Sequence, residues 1–160
     1  MDSGITERLR SGCVIPAHPL VLNTNRQIDI GRQKALTRYY LSAGAGGLAV
    51  GVHTTQFSIH NPKVGLLRPV LELAAQTVEE FVRKTGRPQP IMIAGIVGPT
   101  EQAVREAQLA KDLGYHIGLL SMTALKGKNI AQWLDHAREV AAVITLSEAL
   151  DKPSISRITL

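Results

Sequence analysis

The sequence has little from which a disulfide, a thiolate metal cluster or an aromatic stacking surface could be built. Its 160 residues include one cysteine, Cys13, and only 4% are aromatic. A single cysteine excludes an internal disulfide and a cysteine-ligated metal centre. No apolar run approaches the roughly 20 residues that a membrane-spanning helix needs. Residues 1–10 are polar and lack the apolar core of a signal peptide, so we expect a cytoplasmic protein with no membrane partner.

Positive charge is scattered along the chain rather than concentrated. The formal net charge is +5, which alone would be compatible with a nucleic-acid or acidic partner. The tightest basic cluster is the loose Lys126-Gly127-Lys128, and no aromatic residues interleave with basic ones as base stacking requires. We therefore predict a solvated basic surface and no nucleic-acid partner.

Short apolar runs alternate four times with longer segments of helical periodicity. The apolar runs cover residues 12–17, 47–52, 91–97 and 117–120, and the helical segments about 30–43, 69–84, 100–113 and 129–144. Such alternation predicts an α/β fold with parallel strands. The spacing fits a (β/α)8 TIM barrel, so we predict a truncated barrel of about four β/α units. An open, doubly wound sheet of the flavodoxin type is the alternative that spacing leaves open.

Helix boundaries and buried faces follow from the same pattern. Asp29 and Asn129 are predicted N-caps, and Gly44 is a predicted helix stop. The predicted apolar faces are Leu36, Tyr39, Tyr40 and Ala43 in the first segment, Leu71, Ala74, Ala75, Val78, Phe81 and Val82 in the second, and Ile130, Trp133, Leu134, Ala137, Val140, Ala141 and Ile144 in the last. His60, His116 and His136 follow no pattern and are interpreted as surface or packing residues.

The end of the chain departs from this rhythm. A fifth apolar strand is due after Ile144, but the residues that follow are polar and contain no continuous apolar run. We therefore divide the chain into a partial TIM-barrel domain, residues 1–144, and an atypical C-terminal tail, residues 145–160. Out-of-frame sequence or a misassigned gene end is the interpretation that we favour for the tail.

Candidate functional residues lie where the predicted strands end, because ligands of parallel α/β folds bind at that edge. They are His18 after the first strand, His53, Thr54, Thr55 and Gln56 after the second, Gly98 and Thr100 after the third, and Ser121, Met122 and Thr123 after the fourth. Imidazoles could act as acid or base, and paired threonine hydroxyls could bind a carboxylate or relay a proton. His18 and His53 lack a clear third ligand, so no metal is predicted. Gly95 and Gly98 are interpreted as a tight turn rather than a phosphate-binding loop.

Several segments together resemble the dihydrodipicolinate synthase and N-acetylneuraminate lyase family. They are Ile15-Pro-Ala-His-Pro-Leu20, Ala43-Gly-Ala-Gly-Gly-Leu-Ala-Val50 with His53-Thr-Thr-Gln-Phe57, Ile93-Ala-Gly-Ile-Val-Gly-Pro-Thr-Glu-Gln-Ala-Val104 and Ala110-Lys-Asp-Leu-Gly-Tyr115. The resemblance implies a (β/α)8 barrel, a homo-oligomer, and a lyase or aldolase that acts on small 2-keto acids through a lysine Schiff base. It places Thr54 in a catalytic proton relay and Thr55 on the substrate carboxylate. We add His18, His53 and Gln56 as substrate-binding candidates, and no cofactor is implied.

Three features depart from that family's pattern. Gln56 stands where a glutamate is usual, and Ser121-Met-Thr-Ala124 stands where the family has Pro-Tyr-Tyr. The Schiff-base lysine lies on the sixth strand of the family's barrel, and no lysine of this sequence matches that position. We expect the chain to be inactive alone, because the lysine is the electron sink of the reaction. The alternative is a non-catalytic half-barrel that self-associates.

Overall fold

The structure is a computed structural model that describes residues 3–52 and 54–144, without the side chains of residues 3 and 54–56. Its strands are β1 (Ala17–His18), β2 (Gly47–Val50), β3 (Ile91–Ile96) and β4 (Ile117–Leu120). The α-helices are α1 (Ser3–Ser11), α2 (Ile30–Ser42), α3 (Leu67–Thr85), α4 (Thr100–Asp112) and α5 (Ile130–Val143). Two 3-10 helices cover Thr54–His60 and Met122–Leu125.

The four strands form one parallel sheet in the order β1-β2-β3-β4. A flavodoxin-type sheet would place β1 between the second and third strands. The sequential order is instead that of consecutive units of a barrel. The predicted parallel α/β fold of about four units is therefore confirmed, and the doubly wound alternative is wrong.

The strand register separates the two faces of the sheet. One row across the sheet consists of Ala17, Ala49, Ile93 and Ile117, and the next consists of His18, Val50, Ala94 and Gly118. Val50 and Ala94 are fully buried in the cluster that joins the sheet to the helices. The second row therefore faces the helices, and the first faces the side that forms the lumen of a barrel.

The first strand is shorter than predicted. Only Ala17–His18 is regular strand, although the Val14 and Pro16 carbonyls already accept hydrogen bonds from Gly46 N and Ala49 N at 2.9 and 3.0 Å. Pro16 has no N–H to contribute to the ladder, so pairing upstream of Ala17 remains incomplete.

Helix α1 was not predicted, because its polar sequence carries little apolar periodicity. Its Ile5 is nevertheless buried. The Arg8 guanidinium donates hydrogen bonds to the carbonyl oxygens of Gly46, at 2.7 Å, and Gln89. These residues immediately precede β2 and β3, so α1 is fixed to the end of the sheet opposite the predicted site.

Helix ends and some helix faces are as predicted. Asp29 and Asn129 cap α2 and α5 by accepting from Arg32 N and Gln132 N. The stripe predicted for α3 includes its buried residues Leu71, Ala74 and Val78.

The buried faces of α2 and α5 differ from the prediction. The buried residues of α2 are Gln33, Thr37 and Leu41, whereas Tyr39 is exposed. The buried residues of α5 are His136 and Val140, whereas Ile130, Trp133 and Leu134 are exposed. In the described part of the chain, α2 packs chiefly against α3 and α5 chiefly against α4.

Within residues 3–52 and 54–144, no helix is long and apolar enough to cross a bilayer.

Candidate functional site

The carboxyl ends of the strands bring the predicted site residues to one edge of the sheet. Thr54, Thr55 and Gln56 open the 3-10 helix that follows β2. Their side chains and His53 as a whole lie outside the described residues. The backbone therefore places Thr54 and Thr55 at the predicted edge, and their roles in catalysis and binding stay predictions.

Gly95 allows the chain leaving β2 to lie directly against β3. A Cβ atom at Gly95 would overlap the carbonyl group of Gly51 and approach the nitrogen of Val52 to 3.1 Å. Gly51 itself has φ +71°, a conformation that glycine adopts without strain. Two glycines thus fix the path by which the chain reaches Thr54.

A buried ion pair fastens the same turn from the other end of the 3-10 helix. His60 Nδ1 lies 2.9 Å from Glu106 Oε2, and His60 Nε2 lies 2.9 Å from the carbonyl oxygen of Gly51. A carbonyl and a carboxylate both accept, so the ring donates from both nitrogens. Burial would lower the pKa of His60. The hydrogen bonds to Glu106 and Gly51 and the charge of Glu106 together raise that pKa above its ordinary value.

Glu106 also holds the turn after β3. Its Oε2 accepts from Val97 N at 2.9 Å, and its Oε1 accepts from Gln102 Nε2 at 2.8 Å. Both carboxylate oxygens are therefore satisfied, as burial requires. The His60–Glu106 pair joins the loops that follow β2 and β3, the two central strands of the sheet.

His18 lies at the end of β1 but is directed toward α2. Its side chain is buried, with Nδ1 2.9 Å from Gln33 Nε2 and Nε2 3.0 Å from Thr37 Oγ1. Burial lowers the pKa of His18 to about 4, so the ring is neutral at neutral pH. Both ring nitrogens contact α2, and a substrate contact would have to replace one of these bonds. The substrate-binding role of His18 stays a prediction.

The turn after β4 carries hydroxyl groups but no phenol. Ser121 Oγ lies 3.0 Å from Thr123 Oγ1, and Ser121 N donates to the carbonyl of Ile96 at 2.8 Å. Among the described residues the tyrosines lie elsewhere: Tyr39 and Tyr40 are on α2, and Tyr115 precedes β4. Tyr115 is buried, donates to the Leu71 carbonyl at 3.0 Å and has a raised pKa because of burial. It acts as a packing residue rather than an acid–base group.

His60 and His136 were interpreted from the sequence as surface or packing residues, and that interpretation did not include their specific polar partners. His60 and Glu106 are 46 positions apart, so no local spacing could connect them. His136 is buried on α5 and its Nδ1 lies 2.8 Å from Thr100 Oγ1 at the start of α4. Thr100, a predicted site candidate, therefore contacts the helix layer.

Cation-binding groups are sparse in the described part of the chain. No cluster of three or more histidine, cysteine, aspartate or glutamate side chains there could hold a metal ion. The prediction that the protein carries no metal stays a prediction.

No protein-family model matches the sequence, and no curated protein matches it. Its fold is similar to that of several solved structures. Dihydrodipicolinate synthase from Aquifex aeolicus is 20% identical, with a TM-score of 0.68 over 84% of this chain and 42% of that chain. The Agrobacterium tumefaciens synthase is 19% identical, with a TM-score of 0.66 over 86% and 43%. N-acetylneuraminate lyase from Fusobacterium nucleatum, complexed with pyruvate, is 16% identical, with a TM-score of 0.64 over 84% and 42%.

These similarities define the class of fold. The chain has the fold of the N-terminal half of a (β/α)8 barrel of the dihydrodipicolinate synthase and N-acetylneuraminate lyase type. The chain spans less than half the length of these proteins. The resemblance that the sequence motifs indicated is confirmed at the level of the fold.

Proposed function

We propose that the chain carries the front half of a lyase or aldolase site for small 2-keto acids, with Thr55 on the substrate carboxylate and Thr54 in a proton relay. The observation that carries the proposal is the position of the threonine pair, directly after β2 at the carboxyl edge of the sheet. His53 and Gln56 flank the pair and complete the proposed binding segment. The Fusobacterium lyase of similar fold binds pyruvate, which makes pyruvate the first ligand to test.

Support for this position comes from the way the segment is held. The path of the chain is fixed before the threonines by Gly51 against Gly95, and after them by His60 bound to Glu106. A binding segment anchored at both ends keeps its backbone donors oriented before substrate arrives, which lowers the entropic cost of binding.

We further propose that the 160-residue chain alone does not turn over its ligand. None of the lysines in the described residues, Lys34, Lys63, Lys84, Lys111, Lys126 and Lys128, lies on a strand. A Schiff base in the lumen needs an amine on a lumen-facing strand, and the described residues supply none there. A cytoplasmic location, as the sequence predicts, suits a pathway enzyme of this kind.

Binding and covalent chemistry can be measured separately. Saturation-transfer NMR with pyruvate should detect binding that Thr55→Val weakens at least fivefold. Thr85→Val is the matched control, because Thr85 is exposed at the opposite end of α3 and donates to the Phe81 carbonyl. Borohydride reduction in the presence of pyruvate, followed by intact-mass measurement, should give no adduct.

Each part of the proposal has its own refutation. Equal pyruvate signals from the Thr55→Val variant and the parent chain would refute the binding role. A reduced adduct would show that a lysine of this chain does form a Schiff base. The alternative predicted from the sequence, a non-catalytic half-barrel that self-associates, would give neither binding nor an adduct.

A further inference from the structure

The imidazole of His60 makes two contacts that only its protonated form can satisfy. Nδ1 lies 2.9 Å from Glu106 Oε2, and Nε2 lies 2.9 Å from the carbonyl oxygen of Gly51. Both oxygens accept hydrogen bonds, whereas a neutral imidazole carries one N–H and a charged imidazole carries two. When the ring loses its proton, one nitrogen lone pair therefore faces an oxygen. The side chains of His60 and Glu106 are buried, so the lost hydrogen bond is costly.

Each of these contacts holds one of the two loops that follow the central strands. Gly51 is the residue at which the chain leaves β2, directly before the segment that carries the threonine pair. Glu106 Oε2 also accepts from Val97 N at 2.9 Å, directly after β3. Gln102 Nε2 closes the cluster, because it donates to Glu106 Oε1 at 2.8 Å and to the His60 carbonyl at 3.3 Å. Deprotonation of His60 therefore releases one loop or the other at the carboxyl edge of the sheet.

Glu106 is the charged group in direct contact with the ring of His60. The other charged side chains that line the cavity beside His60, among the described residues, are Arg68 on α3 and Arg105 on α4. Both arginines are exposed, and each pairs with a glutamate of its own helix. The Phe57 ring contacts the imidazole edge-on, with the ring centroids 6.0 Å apart. Burial would lower the pKa of His60, but the two hydrogen bonds and the carboxylate raise it above its ordinary value.

We propose that His60 and Glu106 are positioning residues for the Thr54–Thr55 segment, which keeps its ligand-binding conformation only while the ring of His60 is protonated. This role rests on the proposed function, because pyruvate is the ligand through which it is measured. His60 acts on the segment through the backbone of Gly51, since both of its ring nitrogens are occupied. The affinity for a 2-keto acid should therefore be highest with His60 charged and should fall as pH rises through the raised pKa of that ring.

The first test is the dependence of pyruvate affinity on pH in the parent chain. Saturation-transfer NMR between about pH 5.5 and 8.5 should show the dissociation constant rising at least fivefold. Its midpoint should coincide with the titration of the His60 ring, whose Cε1–H resonance is identified by its absence from His60→Gln. By reciprocity, saturating pyruvate should raise that midpoint by about 0.7 pH unit for a fivefold difference in affinity. An affinity profile that instead follows His53, which lies within the proposed binding segment, would overturn the proposal.

The variant Glu106→Gln separates positioning from the presence of the histidine alone. Without the carboxylate, the buried ring of His60 loses the charge that favours its protonated form. This variant should bind pyruvate at least fivefold more weakly than the parent chain at low pH, and its affinity should not change with pH. Glu101→Gln, on the same helix but exposed, is the matched control and should keep the parent profile. Far-UV circular dichroism checks folding, and the parent profile decides the matter if Glu106→Gln does not fold.

Amide hydrogen exchange gives a readout that needs no ligand. In the parent chain, the protection of residues 54–58 should fall at least fivefold relative to β3 as His60 loses its proton, after correction for the intrinsic pH dependence of exchange. Constant protection would overturn the positioning role, even if affinity changed with pH, because the charge of His60 would then act directly on the ligand. An absence of pyruvate binding at every pH would refute the proposed function, and exchange would still decide whether His60 positions the segment.

Discussion

Replacing Glu106 with glutamine tests whether the buried pair anchors the candidate site. The side chains of His60 and Glu106 are 2% and 8% exposed, so removing the carboxylate leaves a donating imidazole without its charged acceptor. Breaking a buried pair in this way costs about 3–5 kcal/mol. We expect the lower end, about 3 kcal/mol, because glutamine still offers an oxygen to Val97 N. For a chain of this length that corresponds to a fall in Tm of roughly 6–12 °C.

The assay is thermal unfolding followed by far-UV circular dichroism, with Glu101→Gln as the matched control. Glu101 pairs with Arg105 on the same helix, α4, but its side chain is 87% exposed. Exposed pairs contribute between 0 and about 1 kcal/mol, so this variant should unfold within about 4 °C of the parent chain. Equal shifts for Glu106→Gln and Glu101→Gln would refute the anchoring role.

The same pair predicts a dependence of stability on pH. Because the pKa of His60 is raised on folding above its ordinary value near 6.5, the folded state holds that proton more tightly than the unfolded state. The resulting stabilisation is complete below pH 6.5 and is lost as pH rises through the raised pKa. Urea titrations above pH 6.5 should show this loss in the parent chain and a smaller one in Glu106→Gln.

Three further changes test other contacts. The pKa of His18 is lowered to about 4 on folding. The free energy of unfolding should therefore fall by on the order of 3 kcal/mol as pH drops from 6.5 through 4. In urea titrations, His18→Asn should weaken that pH dependence. Gly95→Ala should lower the free energy of unfolding, measured by urea titration, by about 1–3 kcal/mol, because the new Cβ atom would overlap the Gly51 backbone. The control Gly31→Ala, within α2, should leave that free energy unchanged or raise it. Tyr115→Phe should lower the free energy of unfolding by about 1 kcal/mol, because it removes the hydrogen bond to the Leu71 carbonyl. No change in Tm in thermal unfolding would show that this hydrogen bond is dispensable.

The sequence predicted the order of the four strands and of helices α2 to α5 because each of these elements carries its own local signal. The α3 stripe, the apolar β3 and the Asp29 and Asn129 caps are patterns within a few residues of one another. The position of Thr54 and Thr55 at the carboxyl edge then follows from parallel topology. Such features need no knowledge of distant contacts.

Apolar periodicity predicted the wrong buried face where the buried residues of a helix are polar. The buried face of α2 carries Gln33 and Thr37, which are satisfied by the ring of His18. A hydrophobic pattern therefore selects the opposite flank. The His60–Glu106 pair escaped for a related reason: its members are polar, buried and 46 positions apart. Neither residue alone differs from an ordinary surface histidine or glutamate in the sequence, so the contact carries no local signal.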